Sequence, residues 1–507
     1  MWTISPQNDI IFSSHGLSRE RAERFGNVTY MRISARERRY AEQNFNEVHH
    51  TTLNPEGPGV VRIHLIPPVL RGGRTELASS VVILNGQDII PLNLSWSILL
   101  MEFIREVNRF SGRAVTDEDL EVIRKNTCRS VRKVYPFILP RRLNGDVYYI
   151  MDTFKRVAYG EPVDAKLGSM DLGAYAPYMR GPHRMDLMVS AMTVGGKWHC
   201  NQRCVHCYAA GQPEASESEL STGDWKRIID RCREACIPQL TFTGGEPTMR
   251  GDLIELIDYA KWFITRLNTN GIKLTKEYCE KLRAASLDSM QITFYSHDEA
   301  VHNELVGAEG WRMTLDGIKN AIDAGINVSV NTPLCTLNRD YAETLRFLRG
   351  LGVTYVTCSG LITTGNAALT SSERLQLTRE EISAILRESA AYCWENGMEL
   401  SFTSPGWVDE ALCGELGIRT PSCGACLSNM AITPGGNVVP CQSWLSGPVL
   451  GNMLNDRWED IWNSPACRER RGYSAQMRCE CPLRKKPAVL NENTAKGEPL
   501  PRGGEVS

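Results

Sequence analysis

The sequence predicts an α/β protein: a partial (β/α)6 TIM-type barrel, preceded by a small α+β module and followed by a cysteine-rich extension. Three patterns support this prediction. Six strand–helix pairs follow one another in residues 184–400, strands precede helices in residues 60–166, and Cys, Gly and Pro become frequent in residues 401–484. Alternating strands and helices indicate a parallel sheet with right-handed crossovers. Six units are too few to close an eight-stranded barrel.

Composition and charge exclude several classes of protein. The chain has 507 residues, 57 Lys and Arg against 59 Asp and Glu, and a net charge of −2. This balance provides no basic surface for nucleic acid or anionic lipid. No apolar stretch is long enough to span a bilayer, and the first residues lack the basic start and apolar core of a secretory signal. We therefore expect a cytoplasmic protein without nucleic-acid or membrane partners.

The N-terminal third predicts a small module. Residues 1–59 are polar and rich in arginine, and we assign them no structure. Residues 60–166 predict strands followed by helices, which suggests a winged-helix-like arrangement. We expect Ser95 to cap the first helix, and Thr116 with Asp119 to form a capping box on the second. The predicted elements are strands at Val60–Ile66, Ser80–Leu84 and Gln87–Leu92, and a helix at Ser95–Phe110.

A Gly- and Pro-rich linker at residues 167–183 is expected to lead into the barrel. In either an open or a closed α/β sheet, ligands bind at the carboxyl ends of the parallel strands. The predicted strands are Met185–Thr193, Gln239–Thr243, Ile264–Thr269, Leu287–Phe294, Ile326–Thr332 and Thr354–Cys358. The predicted helices are Thr222–Cys236, Gly251–Trp262, Thr275–Ala285, Arg312–Ala324, Asp340–Arg349 and Arg379–Cys393, the last with a capping box of Thr378 and Glu381.

The 17 cysteines fall into two clusters and a scattered remainder, which is typical of metal binding in an intracellular protein. The first cluster, Cys200-x-x-x-Cys204-x-x-Cys207, follows the first barrel strand. Four cysteines complete a [4Fe–4S] cluster, so three leave one iron open for a small molecule. Zinc is the competing metal, but no fourth ligand stands at zinc-finger spacing.

This cluster resembles the signature of the radical S-adenosylmethionine (SAM) superfamily. Two further motifs agree in order: Gly244-Gly-Glu-Pro247 ends the second strand, and Asn268-Thr-Asn-Gly271 ends the third. The resemblance implies that Cys200, Cys204 and Cys207 hold a [4Fe–4S] cluster whose open iron chelates SAM. It also implies reductive cleavage of SAM to a 5′-deoxyadenosyl radical, which abstracts hydrogen from a substrate.

The resemblance also implies residues that contact SAM. Gly244 and Gly245 would let the backbone approach the amino-acid part of SAM closely, with Glu246 near its ammonium group. Tyr208 would lie near adenine, and packing alone is the alternative.

Three residues at the ends of later strands are further candidates. Thr293 and Ser296 are candidates for the ribose hydroxyls, and Asn331 is a weaker one. A strand threonine and a turn serine are equally compatible with the sequence. No acid–base residue or nucleophile can be named, because hydrogen abstraction depends on position more than on a titrating group.

The second cysteine cluster resembles the SPASM/twitch extension of radical SAM enzymes, which carries auxiliary [4Fe–4S] clusters. Four residues separate Gly436 from Cys441, and Gly451-Asn452 follows, as in that family. The usual late run of cysteines is shortened. We expect at least one auxiliary cluster, held by Cys423, Cys426, Cys441 and one or both of Cys479 and Cys481. Cys413 and Cys467 could extend the set to a second cluster, and a structural zinc is the alternative. The tail, residues 485–507, predicts disorder.

Three hypotheses of function follow. The first is a peptide maturase that crosslinks or epimerises a ribosomally made precursor, with an electron donor such as flavodoxin or ferredoxin. Its N-terminal module would bind a leader peptide by strand addition near Val60–Ile66 or Ser80–Leu84. The second is a sulfatase-maturase-like enzyme that oxidises one Cys or Ser in a protein. The third is a non-catalytic iron–sulfur or zinc scaffold.

Overall fold

The computed structural model describes most of the chain. The described residues are 2–3, 24–25, 28–29, 34–53, 61–67, 70–71, 76–77, 80–85, 88–110, 115–158, 165–166, 171–176, 179–369 and 374–484. Helices within these ranges are all too short or too polar to cross a bilayer. The tail predicted to be disordered lies outside the described residues.

The N-terminal module is a four-stranded antiparallel sheet covered by helices. Its strands pair in chain order. They are β1 (His49–Leu53), β2 (Val61–Ile66), β3 (Ser80–Leu84) and β4 (Asp88–Leu92). The helices are α1 (Ala35–Asn44), α2 (Leu94–Val107), α3 (Asp117–Val134) and α4 (Pro140–Ala158). The sheet therefore begins with β1, ahead of the predicted boundary at residue 60.

Two local predictions in this module have different outcomes. The Thr116–Asp119 capping box is confirmed at the start of α3. The prediction that Ser95 caps α2 is wrong, because Asn93 is the N-cap and its side chain accepts from the Trp96 amide at 3.0 Å. Starting the helix two residues earlier places Leu94 in the apolar core between sheet and helices.

The expected open edges of this sheet are also wrong. Strand β2 pairs with both β1 and β3, and β3 pairs with both β2 and β4. Both are fully buried along their length. Among the described strands of this sheet, the outer ones are β1 and β4. An added peptide strand has backbone groups to pair with only at an outer strand.

The module docks on the barrel through β2. The Arg62 guanidinium is 6% exposed and lies 2.6 Å from the Asp288 carboxylate, which is 18% exposed. It also donates to the carbonyl oxygens of Lys261 at 2.8 Å and Ser286 at 3.3 Å. Asp288 directly precedes a barrel strand. The module thus contacts the amino ends of the strands, the end opposite to the carboxyl ends where ligands bind.

The central sheet has ten strands, in the order β11-β10-β9-β8-β7-β6-β5-β12-β13-β14. The six predicted parallel strands are confirmed as β5–β10, and they lie side by side in chain order. They are β5 (Arg184–Ser190), β6 (Gln239–Gly244), β7 (Ile264–Thr269), β8 (Ser289–Thr293), β9 (Asn327–Leu334) and β10 (Tyr355–Gly360). The other four are β11 (Glu399–Phe402), β12 (Asn429–Ile432), β13 (Asn437–Val439) and β14 (Gly451–Asn452).

Helices connect these strands and cover one side of the sheet. They are α5 (Leu172–Tyr175), α6 (Thr222–Glu234), α7 (Leu253–Tyr259), α8 (Lys276–Ala284), α9 (Glu299–Val306), α10 (Trp311–Asp323), α11 (Tyr341–Gly350), α12 (Arg379–Glu395), α13 (Glu410–Glu415), α14 (Trp458–Trp462) and α15 (Pro465–Ser474). The Thr378–Glu381 capping box is confirmed at α12. The largest apolar core lies between these helices and the strands.

Two parts of the sheet were not predicted. Strand β11 adds a seventh barrel strand, parallel to β10. On the other side, β12 pairs in parallel with β5, so the cysteine-rich region continues the barrel sheet. Both strands are only four residues long. A run as short as β11 carries too little periodicity to be recognised. The β-hairpin around Pro434–Gly436 is predicted by its sequence and confirmed as β12 and β13, but its pairing with β5 leaves no local pattern.

The described part of the predicted linker is folded. Helix α5 begins at Asp171, whose side chain accepts from the Ala174 amide at 2.8 Å. After it, the carbonyl oxygens of Met179 and Arg180 accept from the indole N–H groups of Trp462 and Trp458. A Cβ on Gly181 would lie 3.4 Å from the Trp458 ring, so this end of the stretch packs tightly against α14.

Candidate active site

The three cysteines of the first cluster lie in the loop after β5, at the carboxyl end of the sheet. Burial raises the pKa of the Cys200 thiol to about 12, and it also raises the pKa values of Cys204 and Cys207. Charges on Cys207 and Cys200 raise the pKa of Cys204 further, so the three sulfur atoms are close enough to interact. The loop therefore presents three neighbouring soft ligands in a partly enclosed site.

Helix α9 and its preceding turn hold one side of this loop. The amides of Arg203 and Val205 donate to the carbonyl oxygens of Val306 and Leu305, at 2.9 and 3.0 Å. The indole of Trp198 donates to the Gln202 carbonyl at 2.9 Å. Helix α9 was not predicted from the sequence. It supplies backbone acceptors, and Leu305 and Val306 pack against Cys204 and Val205, so its sequence carries no recognisable binding motif.

The Gly-Gly pair at the end of β6 allows a close approach to β5. Gly244 has φ +139°, and a Cβ there would overlap the carbonyl oxygen of Ser190. A Cβ on Gly245 would lie 2.8 Å from the Ala191 carbonyl oxygen. The backbone at Ser190 and Ala191 thus explains both glycines, because only a residue without a side chain can approach it this closely. Their predicted contact with SAM stays a prediction.

Glu246 joins the two motifs at the ends of β6 and β7. Its side chain is 1% exposed. One carboxylate oxygen accepts from the Thr248 amide at 3.0 Å, the Thr248 hydroxyl at 2.5 Å and the Thr269 hydroxyl at 2.7 Å. The other accepts from the Asn270 amide at 2.8 Å. Burial raises the pKa of Glu246, while these donors act against that shift.

Asn270 extends this network to the cysteine loop. Its side-chain amide donates to the Asn201 side chain at 2.6 Å, next to Cys200. The backbone carbonyl oxygen of Asn270 accepts from the Thr314 hydroxyl at 2.8 Å. The chain Glu246–Asn270–Asn201 therefore links three segments that are far apart in sequence. The carboxylate is a part of the site's framework, and its contact with the SAM ammonium stays a prediction.

The predicted ribose contacts occupy different positions. Thr293 and Asn331 are register partners on β8 and β9, at the carboxyl side of the sheet. The Asn331 side-chain oxygen accepts from the Thr357 hydroxyl at 2.9 Å. Ser296 is 0% exposed, and its hydroxyl accepts from the Asp298 amide at 3.1 Å. Thr293 and Asn331 thus share a face, while Ser296 forms a buried turn before α9.

Tyr208 lies between the two cysteine clusters. It packs with Cys200 and Cys207 against a small apolar group. Burial raises the pKa of Tyr208, and charges on Cys207 and Cys441 raise it further. The tyrosine is therefore near sulfur atoms of both clusters. This location was not predicted, because the sequence does not show that β12 lies beside β5.

The cysteines of the second cluster separate into sets. Cys423, Cys441 and Cys481 influence one another: burial raises the pKa of Cys441 to about 12, and charges on Cys423 and Cys481 add to it. Cys426 lies near Cys441 and forms a hydrogen-bonded pair with Cys467.

Two other cysteines form a separate pair in this region. Cys479 donates to the Val408 carbonyl oxygen at 3.1 Å and lies near Cys413. Cys423, Cys441 and Cys481 are thus the best-grouped ligands, while Cys426 and Cys479 each face another cysteine. Which of these residues complete a cluster stays a prediction.

Acidic side chains of the segment that follows the first cysteine loop bind the hairpin formed by β12 and β13 in the second cysteine region. The Thr433 hydroxyl donates to the Glu217 carboxylate at 2.8 Å. The Asn437 side-chain amide donates to Glu214 and Glu217, both at 3.1 Å. Asn452, from the Gly-Asn pair noted in the sequence, donates to the Asn437 side chain at 2.9 Å. The two cysteine regions therefore have a fixed relative position.

The donor set fits an iron–sulfur cluster. Cysteine thiolates are the usual ligands of such clusters, and each ligand binds a different iron. Ligand sulfur atoms of a cluster therefore need not meet the spacing of a single-ion site. Within the residues that the structure describes, no three His, Cys, Asp or Glu side chains are close enough to hold one metal ion.

Family comparisons support the sequence resemblance. A model of the radical SAM superfamily matches residues 199–348. A model of the SPASM iron–sulfur cluster-binding domain matches residues 423–482.

The chain therefore carries a radical SAM domain and a SPASM domain.

The radical SAM and SPASM assignments confirm the predicted classes of cofactor. A radical SAM domain binds a [4Fe–4S] cluster and SAM, and a SPASM domain binds auxiliary iron–sulfur clusters. Among curated radical SAM proteins, the AdoMet-dependent heme synthase of Nitratidesulfovibrio vulgaris is 31% identical over 189 residues, 36% of this chain and 51% of that protein. The chain spans about half the length of the curated relatives it matches.

Solved radical SAM structures share the fold. Streptococcus suis SuiB bound to precursor peptide SuiA aligns with a TM-score of 0.53 and 12% identity, over 78% of this chain and 88% of SuiB. SuiB bound to S-adenosylmethionine aligns with a TM-score of 0.52 and 13% identity, over 78% of this chain and 87% of SuiB. The matched share exceeds what residues 184–507 alone could supply, so it includes part of the N-terminal region.

Proposed function

We propose that this protein is a radical SAM peptide maturase that installs thioether or other crosslinks in a ribosomally made precursor peptide. One observation carries the proposal. The fold likeness to SuiB extends over the barrel, the SPASM domain and part of the N-terminal region. SuiB has been solved with its precursor peptide bound. A shared architecture that includes an N-terminal module supports a peptide substrate.

The chain's own residues would position the reactants. Cys200, Cys204 and Cys207 would hold the first cluster, which when bound supplies the electron that cleaves SAM to a 5′-deoxyadenosyl radical. The network from Glu246 through Asn270 to Asn201 orients the cysteine loop against the ends of β6 and β7. Buried surroundings exclude water, which protects a radical from side reactions. The electron donor would be a protein such as flavodoxin or ferredoxin.

The N-terminal module would bind the leader of the precursor at an outer strand, β1 or β4. Arg62 fixes this module at the amino ends of the barrel strands, while the cysteine loop lies at their carboxyl ends. Strand β8 alone has five residues and spans roughly 17 Å. A bound precursor must therefore bridge at least this depth between its leader and the residues that are modified.

The test begins with the radical step. Anaerobically reconstituted, reduced protein should release 5′-deoxyadenosine from SAM, and a non-catalytic scaffold should not. Mass spectrometry should then follow a candidate precursor, such as the product of a short cysteine-rich reading frame near the gene. A loss of two mass units per event indicates crosslinking. Deuterium uptake in heavy water, with no mass loss in light water, indicates epimerisation, and an unmodified peptide contradicts the proposal.

A second candidate is a reaction on a heme precursor. The 31% identity to a heme synthase over the radical SAM region favours it. The same reduced protein, incubated with SAM and a heme precursor, should then convert that compound to a product of different mass, which mass spectrometry detects. A sulfatase-maturase-like activity would instead convert one Cys or Ser of a sulfatase-derived peptide to an aldehyde.

A further inference from the structure

A short segment after β10, Thr363–Asn366, contacts both cysteine regions; we name it the bridge segment. At one end it binds the backbone of the first cysteine loop. The Asn366 side-chain amide donates to the Cys204 carbonyl oxygen at 3.0 Å, and the Asn366 backbone amide donates to the Cys207 carbonyl oxygen at 2.9 Å. The Thr364 hydroxyl donates to the Tyr208 carbonyl oxygen at 3.3 Å. Three carbonyl oxygens of the loop, those of Cys204, Cys207 and Tyr208, thus accept hydrogen bonds from this segment.

The bridge segment approaches this loop more closely than any side chain would permit. Gly365 has φ +56°, a left-handed conformation that favours glycine. A Cβ there would lie 2.5 Å from the Tyr208 carbonyl oxygen and would also overlap that of Cys207. The contact is therefore a specific fit of backbone against backbone.

The other end of the bridge segment reaches the second cysteine region. The Thr363 hydroxyl donates to the Leu483 carbonyl oxygen at 2.9 Å. Leu483 lies in a turn closed by a hydrogen bond from the Arg484 amide to the Cys481 carbonyl oxygen at 3.0 Å. The Arg484 guanidinium lies 3.8 Å from the centre of the Trp407 ring. Cys481 is one of the three best-grouped cysteines of this region, so the turn carries a candidate ligand.

We propose that Asn366 is a positioning residue for the first cysteine loop, and that the bridge segment couples this loop to the turn at Cys481. Loading the auxiliary site would order the turn, and the bridge segment would then hold the first loop in its ligating conformation. Coupling between two sites is reciprocal, so loading the first site should also favour the second. The inference rests on the proposed cluster ligands and does not depend on the substrate.

The first experiment tests Asn366. We expect Asn366→Ala to raise the dissociation constant for SAM roughly 5- to 20-fold, in the range of site coupling. It should also shift the midpoint potential of the first cluster, read by electron paramagnetic resonance, and speed amide exchange across residues 200–208 in the metal-free protein. Asn320→Ala is the matched control, because its side chain donates to the Leu274 carbonyl oxygen at 2.8 Å outside both sites. Equal behaviour of the two variants would overturn the role of Asn366.

The second experiment tests the coupling with a double-mutant cycle. Thr363→Val removes the hydroxyl that contacts Leu483 and leaves the contacts to the first loop, and Cys481→Ala removes the candidate ligand. Each should weaken SAM binding, and Thr363→Val should add no further effect in the Cys481→Ala protein. Thr336→Val, whose hydroxyl donates to the Arg374 carbonyl oxygen at 3.0 Å, is the control. Additive effects would overturn the coupling.

Failure of this inference can be told apart from failure of the proposed function. Wild-type protein that binds no iron, or binds iron without cleaving SAM, contradicts the proposed function. Wild-type protein that does both, while the bridge variants match their controls in potential, SAM affinity and amide exchange, contradicts only the bridge segment's role.

Discussion

The two cysteine regions solve the same ligand problem in different ways. The first takes all three cysteines from one short loop after β5, and neighbouring strand ends and α9 hold that loop by its backbone. The second brings Cys423, Cys441 and Cys481 together from three separate segments around β12 and β13. Sequence spacing therefore describes the first site almost completely. It describes the second only as a set of possible ligands.

This difference shows what each site depends on. A local loop needs only a framework that fixes its shape, so the important neighbours are backbone groups and small residues. A site assembled from distant segments depends on chain topology, here on the pairing of β12 with β5. We expect changes in the first loop to abolish the first site, whereas changes in the auxiliary region should only weaken SAM binding there.

The largest effect is expected from the central cysteine of the first loop. Cys204→Ser should abolish the first cluster's spectroscopic signal and SAM cleavage, because a ligand of the cluster is lost. Iron held by the auxiliary region should remain. Cys335→Ser is the control, since Cys335 is a buried cysteine in the apolar group against which Cys204 packs. Iron analysis and 5′-deoxyadenosine release measure both, and a Cys204→Ser protein with undiminished SAM cleavage would contradict the assignment.

A comparison of Cys481 with Cys479 sharpens the account of the second site. Cys481→Ala should remove auxiliary iron, because Cys481 lies near Cys423 and Cys441. Cys479→Ala should retain most of it, since Cys479 faces Val408 and Cys413. Mössbauer spectroscopy with enriched iron separates the two. The reverse order of iron loss would show that the ligand set differs from the grouping in the structure.

Glu246 tests whether the first site depends on its framework. The Glu246 carboxylate accepts four hydrogen bonds, and Glu246→Gln replaces one of its acceptor oxygens with an NH2 group that faces those donors. We expect a loss of about 2–3 kcal/mol in the free energy of unfolding. SAM cleavage should fall as the Asn270–Asn201 link loosens. Denaturant titration and an activity assay measure the two effects. Glu255→Gln, which affects an exposed pair with Lys226, should change stability by less than about 0.5 kcal/mol. Equal losses in both variants would argue against a framework role.

The smallest effect is expected at the contact between the regions. Thr433→Val removes the hydroxyl that donates to Glu217 at 2.8 Å and should cost about 1 kcal/mol of unfolding free energy. Iron content should stay unchanged, because neither residue is a candidate ligand. Ser383→Ala, at an exposed helix position, is the control for hydroxyl loss. Loss of iron in Thr433→Val would mean that the contact supports a cluster directly.

The sequence predicts the framework of the molecule better than its connections. The six barrel strands, the capping boxes at Thr116 and Thr378, and the family could all be inferred from local patterns. The seventh strand, helix α9 and the place of β12 could not, because short elements that bind through their backbone carry little side-chain pattern. Asn366 was missed for a similar reason: its partners are carbonyl oxygens, which any residue provides.

The parallel pairing of β12 with β5 has a consequence for protein engineering. Strand β5 has β6 on one side and β12 on the other. Truncation before β12 would leave the backbone groups of Arg184–Leu187 that face β12 without hydrogen-bonding partners, and exposed strand edges of this kind promote aggregation. Chimeras that exchange the SPASM domain between enzymes should therefore carry the matching first barrel strand with it.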